Sequence, residues 1–560
     1  MSELTLTTLC VAPIAVLISL LNRKSNRDLI RKTSFWIFAA LALAGIAKLP
    51  TSDKIFSGLE YEDAYVYNAA ARFILSNPKP SESKSLLTDA CSVGALDNCQ
   101  DYATYSGHVI GYPTAIAAAG KLFGYQPNLA NMLSYIASVL CAGVLFVAAC
   151  LIQAPLIYAA SAVTIFIFLP FQNLFASATV VEPFSSLYLI LALLAYLICT
   201  QGKSSEKRPG QKLLEWTALL LTWTACLLIK REAALLIATL PVVTLLLGLK
   251  ERKSVTSFGW LIRPVAFIWV LLALFFIVTI DVTETIRAEI PDVEGFPFAP
   301  RFIAKLLPYF LSTLADPKLF LGLSIFIPIA IYPAVTRIHK DPNIAYPIAL
   351  FSAYLLIYSL HYRSYYFIRT GEVTEFDTYR YLVHIVPFYC LTVAYGMNYA
   401  FQMLSLSVKK GVWSARAVMV SLALAGLALS IIQSNKLRIQ YSEIERETRL
   451  ESVDAVLSET KRVNSPYAIL TDDVLLYQIR GEGSEFLIDS RMINSAQRLD
   501  NLVQILKNRE VFYVKKSYQD AEIEKNRYPI LFEFLKNNRM DLKFSDPNKN
   551  FSVFRLSNNQ

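Results

Sequence analysis

Long apolar runs separated by short polar clusters dominate the chain as far as residue 433. A bilayer core about 30 Å thick takes roughly 20 apolar residues per helical crossing. The pattern therefore predicts about a dozen spans, at roughly 4–21, 33–49, 129–151, 154–175, 183–200, 213–229, 233–249, 264–280, 318–335, 342–360, 381–402 and 415–433. Segment 107–124 is apolar too, but Gly107, Gly111, Pro113 and Gly120 weaken it as a span, so it reads as a helix near the interface. From residue 434 the long runs stop. "ESVDAVLSETKRV", "SAQRLDNLVQILKN" and "YPILFEFLKNN" have helical periodicity, "YAILTD", "EFLIDS" and "EVFYVK" read as short strands, and "DLKFSDPNKNFSVFRL" reads as a closing hairpin. Strands alternating with helices predict a small α/β domain. The expected organisation is a polytopic α-helical membrane domain at 1–433, with a large loop at 50–128, and a soluble tail at 434–560.

Charge gives this map an orientation. Charged residues make up only 17% of the chain, against roughly 25% in globular proteins. The net charge of +9 comes from Lys and Arg gathered between spans. No basic patch interleaved with exposed aromatics suggests nucleic acid. The first apolar run is followed by Arg23, Lys24, Arg27, Arg31 and Lys32, which the positive-inside rule holds in the cytoplasm. Alternate loops after it, "QGKSSEKRPGQK", "KERKSVTSFGWLIR", "TRIHK" and "SLSVKKGVWSAR", are also basic. The opposite face receives loops 50–128, 281–317 and 361–380 and the tail. It also receives Lys230 and Arg231, a cationic pair that breaks the rule unless an anion compensates it. Cys91 and Cys99 lie in the first outer loop, where an oxidising compartment would permit a disulfide, with two free thiols as the alternative. The four histidines are scattered, and no Cys/His spacing suggests zinc.

The first outer loop contains "EYEDAYVYNAAARF". Carboxylates at Glu60, Glu62 and Asp63 follow Ser57 in capping-box spacing, and a helix start needs no further reason for them. Yet Asp63, Tyr67, Ala70 and Ile74 form one helical stripe, and Ala69 to Ala71 permit close helix approach. Adjacent acids near a membrane surface suit a shared task, one taking a proton while the other orients an acceptor hydroxyl.

"YEDAYVYNAAARFI" resembles the first outer-loop motif of the GT-C glycosyltransferases, which use polyprenyl-phosphate sugars. Their relatives include the dolichyl-phosphate-mannose protein mannosyltransferases, the aminoarabinose transferase of lipid A and the mycobacterial arabinofuranosyltransferases. The family's acidic pair falls on Glu62 and Asp63, followed by Tyr65; the Glu in first place departs from its Asp-Glu or Asp-Asp pattern. "GHVIGYPTAIAAAGKLFGY" is similar to the family's Pro-containing helix ending in Phe-Gly, "ASATVVEPFSSLYLILALLAYL" to its acidic-Pro span start at Glu182, and "RYLVHIVPFYCL" to its late Arg-Tyr span with Arg380 and Tyr381.

The resemblance implies a GT-C-like fold and inverting transfer of a hexosyl or pentosyl unit from polyprenyl phosphate to a lipid, glycan or protein acceptor in the cell envelope. It implies a bacterial inner membrane with the active site and tail outside the cytoplasm. Asp63 with Glu62 becomes the base, and the leaving phosphate needs cations, for which Arg380, Arg231, Lys230, Arg363 and Arg369 are candidates. Each of these cations has a plainer reading as a snorkelling or headgroup-binding residue. His108 and Tyr112, at i and i+4, are candidates to meet the acids, and Glu182 to orient an acceptor or pair with Arg231. The chemistry requires no cofactor, although Glu62 and Asp63 are able to hold a divalent ion. Three rival readings stand beside this one. An oligosaccharyltransferase or ligase is disfavoured in its N-linked form because the tail has no Trp-Trp-Asp motif. A lipid or sugar transporter would place acids at mid-membrane. A non-catalytic scaffold would tolerate neutral Glu62 and Asp63.

Overall fold

A computed structural model of the chain describes residues 2–48, 111–126, 128–152, 156–176, 181–200, 209–230, 232–251, 303–336, 342–360, 380–407, 453–458, 466–471, 486–490, 496–516, 529–546 and 551–557, with scattered single positions elsewhere, among them 67, 68, 71, 74 and 75. They fall into two compact units. One takes in Met1–Gly58, Val109–Ala115 and Ala130–Tyr441; the other takes in Leu59–His108, Ile116–Leu129 and Ser442–Gln560.

The chain opens with helices α1 (Ser2–Asn22), α2 (Lys24–Lys48), α3 (Gly111–Phe123), α4 (Leu129–Ile152), α5 (Leu156–Phe168), α6 (Pro170–Phe175), α7 (Val181–Thr200), α8 (Pro209–Ile229) and α9 (Ala233–Glu251). They are followed by α10 (Ile303–Ala315), α11 (Pro317–Phe320), α12 (Phe326–Thr336), α13 (Ala345–Leu360) and α14 (Val386–Ser407). Among the described residues α1, α2, α4, α7 and α8 are long and apolar enough to cross a membrane. α7 is buried on all sides, as a helix apolar all round must be. Its Tyr188 donates to the carbonyl of Leu9 in α1 at 2.8 Å, and Cys226 of α8 donates to the Tyr188 carbonyl at 3.2 Å. The helices α1 and α2 instead expose Ile14, Leu17, Phe35, Phe38, Leu43 and Ile46. Hydrocarbon, not water, is the solvent that accepts such a surface.

Three predicted spans are broken, each for a local reason. The run 154–175 divides at Pro170, which opens α6 after Leu169 turns extended. Proline lacks the N–H and its ring strikes the preceding turn. The run 318–335 divides where Leu321 and Gly322 both adopt positive φ, 55° and 68°. Asp316 caps the short α11 by accepting from the Lys318 amide at 2.8 Å. The run 381–402 begins as a 3₁₀ helix, Arg380–Ile385, because Pro387 cannot donate to the carbonyl of Val383. That carbonyl takes the Ser186 hydroxyl at 3.1 Å instead. The substitution ties the 3₁₀ helix to the first turns of α7.

The tail is a mixed sheet of β1 (Tyr467–Thr471), β2 (Phe486–Asp489), β3 (Glu510–Lys516), β4 (Arg539–Asp546) and β5 (Phe551–Ser557), in the order β2-β1-β3-β5-β4. β1 runs parallel to β2 and β3, while β5 pairs antiparallel with β3 and β4. Two amphipathic helices, α15 (Ala496–Asn508) and α16 (Pro529–Asn537), contribute Leu502, Ile505, Leu531 and Leu535 to its core, against Ala468, Leu470, Ile488 and Val511 of the sheet.

Candidate active site

Glu182 occupies the first turn of α7, where unsatisfied amides favour a carboxylate. Lys230 follows the last residue of α8, where carbonyl ends favour a cation. The two meet with Nζ 2.7 Å from Oε1. Both side chains are largely buried, 12% and 4% exposed respectively. Burial is the largest influence on Lys230 and works against its charge, but Glu182 and Glu232 more than offset it, so its pKa is raised. The ammonium also lies over the Tyr381 ring, 5.5 Å from its centre.

The 3₁₀ helix brings a further group. His384 is buried, with Nε2 3.9 Å from the same Glu182 oxygen. Its ring stacks on Tyr358 of α13 at 6.3 Å, and Tyr358 touches Tyr381 at 5.5 Å. The Glu182 Oε2 and the Tyr358 hydroxyl are buried without a hydrogen-bond partner among the described residues. Lysine carries three donors, and among the described residues Glu182 takes one. The arrangement is a held cation with spare donors, beside a carboxylate with a spare acceptor and ringed by aromatic faces.

Of the sequence candidates, Glu182, Lys230 and Tyr381 come together here, and Arg380 begins the 3₁₀ helix that carries Tyr381. Glu182, a candidate to orient an acceptor or to pair with Arg231, pairs with Lys230; Arg231 lies outside the described residues. Tyr112 is wholly buried, bonded to the Ala130 carbonyl and the Ser134 hydroxyl at 2.8 Å each, with its ring 5.5 Å from Phe184. Its hydroxyl is thus engaged in holding α3 to α4. Glu62, Asp63, Tyr65, Cys91, Cys99, His108, Arg363 and Arg369 lie outside the described residues. His384 and Tyr358 were not singled out from the sequence. The spacing of His384 from Tyr381, i to i+3, was the available signal. Among the described residues no three His, Cys, Asp or Glu side chains gather as a metal site.

A second buried pair marks the other end of the same helical hairpin. Arg23, between α1 and α2, meets both Glu215 oxygens of α8 at 2.7 and 2.8 Å and also bonds the Ile198 carbonyl near the end of α7. The helix α7 has 20 residues, so its ends are about 30 Å apart. The bundle therefore gathers Arg23 with Glu215 at one end and Glu182 with Lys230 at the other.

No family model matches the sequence, and no curated protein sequence matches it. Solved structures do. The aminoarabinose transferase ArnT from Cupriavidus metallidurans, bound to undecaprenyl phosphate, aligns over 94% of this chain and 100% of its own, with TM-score 0.58 and 12% identity. The Archaeoglobus fulgidus oligosaccharyltransferase tethered to an acceptor peptide containing the NVT sequon aligns over 95% of this chain and 75% of its own, with TM-score 0.51 and 11% identity. The archaeal oligosaccharyltransferase AglB from Archaeoglobus fulgidus, in complex with an inhibitory peptide and a dolichol-phosphate, covers 93% and 74%, with TM-score 0.52 and 12% identity. At such identities the likeness is one of fold. This chain is a helical membrane protein whose fold, over almost its whole length, is that of the ArnT and archaeal oligosaccharyltransferase structures.

Proposed function

We propose that the chain is an inverting glycosyltransferase that takes a hexosyl or pentosyl unit from polyprenyl phosphate at the extracytoplasmic face of a bacterial inner membrane. The observation that carries this reading is the buried Lys230, held by Glu182 and Tyr381, in a chain of GT-C fold. A buried ion pair is weak evidence for stability, and an ionisable group in a membrane bundle is a functional candidate by default. The ArnT structure of this fold holds undecaprenyl phosphate.

The chemistry assigns the roles. Asp63, helped by Glu62, removes the proton of an acceptor hydroxyl. The hydroxyl oxygen attacks the anomeric carbon, the carbon–oxygen bond to phosphate breaks, and its electron pair stays on the phosphate. The two spare N–H donors of Lys230, with Arg380 and Arg231, meet that growing charge. Glu182 holds Lys230 in place, and its second oxygen accepts from a sugar hydroxyl. The membrane domain at 1–433 performs the transfer.

The test is purified protein supplied with a panel of polyprenyl-phosphate sugars and acceptors from the cell envelope. The wild type transfers at least one sugar, and Asp63→Asn reduces transfer by orders of magnitude. Transfer that survives Asp63→Asn and Glu62→Gln, singly and together, removes the assignment of the base. Undecaprenyl phosphate that binds a Lys230→Ala, Arg380→Ala double variant as tightly as wild type removes the assignment of the phosphate site.

A further inference from the structure

The stretch that carries the acids continues into Tyr67, Asn68 and Ala71, which are 4%, 0% and 0% exposed. Asn68 is a polar amide in a position that packing alone would give to Leu or Ala. Burying an amide is costly unless it is bonded, so the amide specifies an arrangement where a hydrocarbon would merely fill space. Its Oδ1 accepts the Tyr125 hydroxyl at 3.0 Å. The route that brings Tyr125 there is built into "GKLFGY". α3 ends at Phe123, and Gly124 takes φ +80°, the left-handed conformation that ends a helix and reverses the chain. The Gln126 carbonyl then accepts the Leu129 amide at 3.0 Å, opening α4. A second contact lies in the same pair of segments: a Cβ at Gly120 would stand 2.8 Å from the end of Leu75. The C-terminal half of α3 and Tyr125 just after it thus hold this stretch at two residues, Leu75 by an apolar contact and Asn68 by a directed hydrogen bond.

We infer that Tyr125 and Asn68 are positioning residues for the acids that immediately precede them, Glu62 and Asp63. The inference rests on the reading of those acids as the base. Asn68 follows Asp63 by five residues in the sequence, so its bond to Tyr125 anchors the chain close to the proposed base, and a base displaced by about 1 Å loses on the order of a hundredfold in rate.

Hydrogen exchange of the full chain in detergent tests the grip without any substrate. Tyr125→Phe removes one oxygen and leaves the packing. Exchange across residues 60–72 rises at least about tenfold while α7 stays protected. Unchanged exchange in that segment overturns the clamp, and so does an equal rise in α7, which marks general loosening. Kinetics with the polyprenyl-phosphate sugar that the wild type uses tests the consequence. Tyr125→Phe and Asn68→Leu each lower kcat about tenfold with KM for the donor unchanged, and the double variant is no worse than either single one. A kcat equal to wild type in Tyr125→Phe, with Asp63→Asn inactive, overturns positioning while the base stands. Full activity in Asp63→Asn removes the base itself, and this inference with it.

Discussion

Glu182 is the residue on which the buried end of the bundle turns. Its Oε1 meets Lys230 at 2.7 Å, and the histidine of the 3₁₀ helix stands 3.9 Å away. Removing one member of a buried pair costs more than removing both, because a lone charge is left in a place that cannot solvate it. Glu182→Gln is therefore expected to destabilise the purified protein by about 3–5 kcal/mol, and the Glu182→Gln, Lys230→Met double variant to recover much of that loss in thermal melts. Additive losses in the double variant would refute the coupling. The raised pKa of Lys230 carries a sign. A cation with a raised folded pKa contributes stability that is fully present below the ordinary lysine value and is lost as pH rises through the raised one. Melting temperature should thus show no Lys230-dependent step through neutral pH, and wild type and Lys230→Met should converge only in strongly alkaline solution. The sequence singled out both residues, Glu182 by its motif and Lys230 by its breach of the positive-inside rule. Their pairing was not legible, because 48 residues separate them and only the packing of α7 on α8 brings the helix ends together.

At the scale of elements, the informative features are the points where helices approach closely or break. A Cβ at Gly396 in α14 would overlap the carbonyl of Phe326, and one at Gly111 would reach the Leu228 carbonyl carbon at 2.8 Å. In each case the obstacle is backbone, which cannot swing aside as a side chain does. Gly396→Ala and Gly111→Ala should each cost about 1–3 kcal/mol, measured as a lower melting temperature. Gly210, with nothing within 4 Å of its would-be Cβ, should accept Ala without loss. Hydropathy found the five long spans α1, α2, α4, α7 and α8 but not these contacts, since an average over a window is blind to which glycine faces a neighbour; the expected spans 264–280 and 415–433 lie outside the described residues, apart from single positions. It also read 154–175, 318–335 and 381–402 as continuous, although the prolines and glycine that break them were visible. Apolar content sets whether a segment enters the bilayer; a single missing N–H or a positive φ sets whether it stays one helix.

For the whole molecule, topology is the property that function depends on. The bundle places Arg23 and Glu215 at one end of the α7–α8 hairpin and Glu182, Lys230 and Tyr381 at the other. If the first end is cytoplasmic, a cysteine at Ser204 should resist a membrane-impermeant maleimide in intact cells, and cysteines replacing Asp63 and Arg380 should react. Labelling of positions 63 and 380 from opposite sides would end the glycosyltransferase reading, because base and cation must serve one lipid-borne sugar on one membrane face.

By itself the sequence determined the membrane class, the five long spans α1, α2, α4, α7 and α8 and the strand and helix content of the tail. Each of these is a local property, set by hydropathy, periodicity and charge over a few turns. Only the tertiary structure decided that Lys230 is the partner of Glu182, that His384 and Tyr358 join them, that Tyr125 reaches Asn68, and that the sheet order is β2-β1-β3-β5-β4. These are meetings between residues distant in sequence, and they are settled by which packed arrangement buries the most surface while leaving the fewest polar groups unpaired.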